Sequence, residues 1–169
     1  IPKNIETIDS SAFVSCTGLT SVTYEADSKL RTIGSSAFSG CTSLVSFAMP
    51  NSVTTLGSSA FASCSKLESL TLSTSLTTLP SGFINYASKL TSVTIPNSVT
   101  TISAWAFDYC YLTSLTIPAS VTSFGAQELA YDTLASITVD SANKYYDSRN
   151  NCNAIIKKDD GTLLLGCKN

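Results

Sequence analysis

Apolar residues recur along this chain in fixed columns rather than on one helical face. Aligning the chain on itself gives a period of 23, seen in Cys41 to Cys64, in Leu44, Leu67 and Leu90, and in Val53, Leu76 and Val99. With h for an apolar residue, the unit reads C-x-x-L-x-x-h-x-h-P-x-S-V-x-x-I-x-x-x-A-F-x-x. A unit this short cannot bury its own apolar side chains, whereas stacked units bury one another's, so the period itself predicts a solenoid.

The first strand column is Leu19, Leu44, Leu67, Leu90, Leu112 and Leu134; the second is Val22, Phe47, Leu70, Val93, Leu115 and Ile137. Alternation at period two in "SVTI" (92–95) and "SLTI" (114–117) predicts one short strand per unit. Pro50, Pro96 and Pro118 follow, supplying a fixed φ and no N–H where the strand must stop. A second extended piece, "SVTTI", ends on the column Ile8, Ile33, Leu56, Leu79, Ile102 and Phe124. "GSSAF" or "SAWAF" then suits one turn of α- or 3₁₀-helix that points Phe13, Phe38, Phe61 and Phe107 inward. Repeat four departs from the pattern, with Phe83–Ile84 for Ala–Phe and Ala87 in the cysteine column.

These near-copies resemble the BspA-like class of leucine-rich repeats, found in secreted and surface proteins of bacteria and some protists. The resemblance covers about 1–144, and "YDSRNNCNAIIKKDDGTLLLGCKN" resembles a block that lies between repeat groups in such proteins. The cysteine precedes the strand, and no asparagine ladder follows it, unlike the more familiar leucine-rich pattern. The expected fold is a right-handed leucine-rich repeat solenoid with a parallel β-sheet on one face and short extended, 3₁₀ or helical turns on the other. About six strand units fill 1–144, and 145–169 forms a divergent segment with a C-terminal β-hairpin. The resemblance implies extracellular display and adhesion or recognition, without catalysis. Because the chain opens in mid-repeat, it is expected to be a fragment of a longer protein, with further repeats beyond "GCKN" or the hairpin serving as a cover.

Composition narrows the partners. Only 13% of residues are charged, the net charge is −2, and the positive residues are scattered apart from Lys157–Lys158, so nothing in the sequence suits nucleic acid. The 29 serines and 22 threonines sit between strictly spaced apolar residues, which separates the chain from a disordered Ser/Thr-rich stalk. No apolar run reaches the roughly 20 residues of a membrane span, so no membrane insertion is expected in this segment.

Cys16, Cys41, Cys64 and Cys110 share one repeat column, and a buried ladder of free thiols is expected there. Cys152 and Cys167 flank "NAIIKKDDGTLLLG", where Asp160–Gly161 marks a turn, and lie nearly equidistant from its centre at 159–160, so hairpin pairing would set them opposite each other. Either a cross-strand disulfide or two packed thiols would result.

With no histidine in the chain, Ser–His and Cys–His nucleophile pairs cannot be built, and no phosphate-loop or Rossmann glycine pattern occurs. No cofactor or metal is expected, and the protein is not expected to be an enzyme. What remains is surface. Thr91, Ser92 and Thr94, with Thr113, Ser114 and Thr116, face outward from the strands, either as a solvated sheet or as a docking face for a protein or glycan. Tyr86, Tyr109, Tyr111 and Tyr131 cluster near the turns before the strands, with Trp105 close by, as candidate anchors on a rim. Two functional classes therefore compete: a recognition module, or a structural spacer that holds other domains apart and binds nothing itself.

Overall fold

The computed structural model describes residues 1–125 and 134–167. Two separate strand positions recur along the stack. The second extended piece forms parallel ladders: β1 (Thr7–Ile8), β2 (Thr32–Ile33) and β4 (Thr55–Leu56) in one sheet, β6 (Thr78–Leu79), β7 (Thr101–Ile102) and β9 (Ser123–Phe124) in another. The leucine strand forms parallel pairs, β3 (Ser46–Ala48) with β5 (Ser69–Thr71) and β8 (Ser114–Ile117) with β10 (Ser136–Val139). Registers run Thr32 to Thr55 and Ser46 to Ser69, the 23-residue period made structural. The expected parallel leucine-strand face is present, and the "SVTTI" piece proves to be a second laddered side of each coil.

Turns, not helix, form the remaining side. In the first coil the N–H groups of Ala12, Val14 and Cys16 bond back three residues to the carbonyls of Asp9, Ser11 and Phe13. The intervening N–H groups of Ser11, Phe13 and Ser15 instead donate to Ser35, Ala37 and Ser39 of the next coil. A 3₁₀-helix needs consecutive i→i−3 bonds, and here every second one is diverted to a neighbour. The diversion needs two left-handed residues per coil, at Ser11 and Ser15, Ser36 and Gly40, Ser59 and Ser63, Gly82 and Tyr86, Trp105 and Tyr109. Gly57 allows the coils to close: a Cβ built there would lie 2.2 Å from the Ser35 nitrogen of the preceding coil.

Stacking creates the core. Leu44, Leu67, Leu76, Leu90, Val53 and Val99 are fully buried. Phe13, Phe38 and Phe61 stack face to face at 5.0 and 5.4 Å, with Phe47 edge-on to the last two at 4.9 and 4.6 Å. At Phe83–Ile84 the geometry changes from stacked to edge-on, and Phe83 meets Phe107 edgewise at 5.7 Å. Cys41, Cys64 and Cys110 are buried, and each thiol donates to a carbonyl of the preceding coil, those of Phe13, Phe38 and Ile84. Burial raises all three thiol pKa values, to about 12 for Cys64 and Cys110. Cys16 is exposed, unlike the expected rung: its coil is the first of the described residues, so no described coil lies before it to serve Cys16 as those of Phe13 and Phe38 serve Cys41 and Cys64.

After β10 the chain forms an antiparallel sheet in the order β11 (Tyr146–Asp147), β12 (Ala154–Lys157), β13 (Leu163–Gly166), with a 3₁₀ turn at Arg149–Asn151 between the first two strands. This sheet closes the last described coil through side chains. The Tyr146 hydroxyl accepts the Phe124 N–H at 3.0 Å and donates to the Thr122 carbonyl at 3.3 Å. Thr122 is the repeat equivalent of Arg31, Thr77 and Thr100, whose carbonyls accept N–H groups from the following coil, so one phenol stands in for a strand. Buried Asn143 donates to the Pro118 and Val121 carbonyls and accepts the N–H groups of Tyr145 and Tyr146.

The hairpin corrects the disulfide expectation. Counting out from the turn pairs Ile156 with Leu163, but a bulge makes Leu164 an extra residue, so Ile155 faces Leu165 and Ala154 faces Gly166. Cys167 consequently bonds through its N–H to Asn153, one residue past Cys152, and both cysteines are free thiols.

Four outcomes follow for stability and thiol access. Gly57→Ala places a Cβ against backbone and should cost about 1–3 kcal/mol in denaturant unfolding. Tyr146→Phe leaves buried backbone groups unpaired, should cost about 1–3 kcal/mol, and should speed amide exchange at Phe124 but not at Ile33. A thiol reagent should label Cys16 and Cys152 quickly, Cys167 more slowly, and Cys41, Cys64 and Cys110 only on unfolding. The buried thiols keep their protons in the folded state while unfolded thiols ionise near pH 9.0, so stability should fall from about pH 9 towards pH 12.

Candidate functional site

The six outward Ser and Thr side chains singled out from the sequence, Thr91, Ser92, Thr94, Thr113, Ser114 and Thr116, are all exposed. They are not equivalent. The Thr113 hydroxyl and N–H both donate to the Thr91 carbonyl, at 3.2 and 2.9 Å, which commits that hydroxyl to the fold.

The ladder lapses at 92–95. No strand is formed there, and the leucine-strand side divides into the β3–β5 pair before it and the β8–β10 pair after it. The first coil shows the same lapse at 20–24. Laddered coils carry Phe47, Leu70, Leu115 and Ile137 in the second apolar column, all buried; the unladdered coils carry Val22 and Val93, both half-buried. The shorter valine fills less of the space beneath the strand, while Leu90, Ile95, Val99 and Ile102 of the same coil stay buried. This signal was present in the sequence and was missed.

A furrow lies on each side of the lapsed segment. One, about 360 Å³, is lined by Ser92, Thr94, Ser114 and Thr116 with Asn97 and Asp140 at its polar wall and Val93 and Ile95 beneath. The other, about 280 Å³, lies between Leu70–Leu72 and the Thr94–Pro96 ridge. Thr94 lines both. Asn97 and Asp140 reach the larger furrow from neighbouring turns, an adjacency that follows only once the coils are in register.

The aromatic candidates belong to the turn layer, apart from these furrows. Tyr86 and Tyr109 stack at 4.5 Å with planes 10° apart, both on left-handed backbone. Trp105, also left-handed, is half-exposed, and Tyr111 is half-buried. None of Trp105, Tyr109 and Tyr111 lines either furrow, so the structure does not join the rim to the Ser/Thr face. Tyr131 lies outside the described residues. Asp159 and Asp160 serve the hairpin turn, each accepting a backbone N–H, of Asp160 and Thr162 respectively. The Thr162 hydroxyl, and after it the Thr162 N–H, holds the Asp160 carboxyl below its usual pKa. Among the described residues no three His, Cys, Asp or Glu side chains converge as a metal site, and no helix is long and apolar enough to cross a membrane.

Comparison with known proteins agrees with this architecture. The family described as "BspA type leucine rich repeat region" matches in six copies over residues 1–110 and 83–156. A leucine-rich cell surface protein of Faecalibacterium prausnitzii superposes with a TM-score of 0.85 at 32% identity, over 96% of this chain and 43% of its own. A leucine-rich repeat protein of T. pallidum superposes with a TM-score of 0.63 at 26% identity, over 70% of this chain and 56% of its own. The pneumococcal vaccine antigen PcpA gives 0.58 at 25% identity, over 99% of this chain and 36% of its own. The chain thus spans less than two thirds of each of these proteins, and no curated protein sequence matches it. With the repeat, the coil register and the family match in agreement, the chain belongs to the BspA-type leucine-rich repeat family.

Proposed function

We propose that this chain is a non-catalytic recognition module, displayed outside the cell, that presents its Ser/Thr strand face to a protein or glycan ligand. The observation that carries this reading is the paired furrow at 92–96. A bare spacer gains nothing from an interrupted ladder, whereas a binding face gains relief. The furrows supply short hydroxyl side chains over an apolar floor of Leu70, Leu72, Val93 and Ile95, together with main-chain groups outside any ladder. An uncharged ligand rich in hydrogen-bonding groups suits such a wall better than a strongly charged one. The F. prausnitzii protein is described as a cell surface protein, which supports the same setting for this chain.

The test is an array of host matrix proteins and glycans probed with the purified chain. Binding of a defined ligand is expected, with Thr94→Arg and Thr116→Arg each weakening it by at least about tenfold, equivalent to about 1.4 kcal/mol. Trp105→Ala should leave it unchanged. Silence across the array would favour the spacer, and binding lost in Trp105→Ala but kept in Thr94→Arg would move the site to the turn layer.

A further inference from the structure

The pairing of β11 with β12 gathers charge that the sequence scatters. Tyr146 sits opposite Lys157, and the Lys158 N–H bonds to the Tyr145 carbonyl at 2.9 Å, a register that carries Lys144 on towards Asp159 at the end of the lysine pair. The three lysines line one cavity of about 240 Å³ between this sheet and Thr122 of the last described coil. The ion pair among the described residues, Arg149 with Asp147 at 3.0 Å, uses none of them. Asp159 is the single carboxylate in the lining, leaving the cavity with a clear positive excess.

The floor is fixed. Tyr146 is held by its hydroxyl bonds to Phe124 and Thr122, and the Lys158 ammonium donates to the carbonyl of buried Asn143. The Tyr145 ring stands half-exposed at the same cavity. A bare inorganic anion would use the ammonium groups alone. An acidic sugar would use all the parts: its carboxylate against the lysines, its C–H face against Tyr145, and its hydroxyl groups as donors to Asp159. The volume lies below the roughly 300–1,000 Å³ of drug-sized pockets, which suits one ring rather than an extended chain.

We propose that the cavity bounded by Lys144, Lys157, Lys158 and Tyr145 binds a single carboxylate-bearing saccharide unit. The site is separate from the Ser/Thr furrows and stands independently of the function proposed for them. Uronic acids within polysaccharides and sialic acids at glycan ends share the required chemistry.

The experiment is an NMR titration of the whole chain with glucuronate, N-acetylneuraminate, glucose and inorganic sulfate. Saturable shifts at the Tyr145, Lys157 and Lys158 amides are expected with at least one acidic sugar, which identifies the source. That sugar should bind at least about tenfold more tightly than glucose or sulfate. Lys144→Gln and Lys157→Gln should each weaken it about two- to fivefold with unchanged melting temperature, and added salt should weaken it further. Thr94→Arg should leave it intact. Glucose or sulfate binding as tightly, no saturable shift with either acid, or equal loss in Thr94→Arg would each overturn the proposal.

Discussion

Everything in this molecule depends on one constraint: the backbone of each coil must lie in register over the backbone of the next. Thr54 and Thr55 both reach back to the Arg31 carbonyl, and Thr100 and Thr101 repeat the contact with Thr77 one ladder further on. Once those bonds hold, side chains at equivalent positions have no choice but to superpose. The aromatic stack of Phe13, Phe38 and Phe61 and the thiol bonds to preceding carbonyls are products of that superposition. Where the ladder lapses at 92–95, the core beneath remains closed, with Leu90 and Ile102 fully buried, and the surface alone acquires relief.

Much of this was legible because stacking imposes a rule on sequence. Each inward column must stay apolar and of similar size, and a period shows through after two or three copies. The second extended piece was recognised, but that it forms its own ladder was not, since two-residue strands such as Thr55–Leu56 leave almost no alternation to read. The turn layer, expected as short extended, 3₁₀ or helical turns, hides its alternating bonding for a related reason. Serine at Ser11, Ser36 and Ser59 gives no hint of left-handed backbone, where glycine or asparagine would have signalled it. The hairpin at 152–167 was foreseen, but a single bulged residue, Leu164, separates Cys152 from Cys167, and composition does not announce a bulge.

The surface was harder to read. Thr91, Ser92 and Thr94 were identified as outward by alternation, but which hydroxyls are already spent depends on neighbours in other coils, as Thr113 shows. The step from Val93 to a furrow required knowing what a leucine or phenylalanine does at the same place in the other coils. Lys144 and Lys157 are far apart in sequence and meet only through an antiparallel pairing outside the repeat, where the period gives no guidance.

The alternating turn layer also gives the stack an electrical direction. In β-ladders successive peptide dipoles point opposite ways and cancel. In the turns, the N–H groups of Ser11, Phe13 and Ser15 point towards the following coil, as do those of Ser36, Phe38 and Gly40 and of Ser59, Phe61 and Ser63, and the carbonyls that receive them point back. These peptides are aligned head to tail along the solenoid axis, in the manner of a helix but spread over parallel rows. A stack built this way has a carbonyl-bearing pole at its first coil and an amide-bearing pole at its last, and each added coil extends the same polarisation.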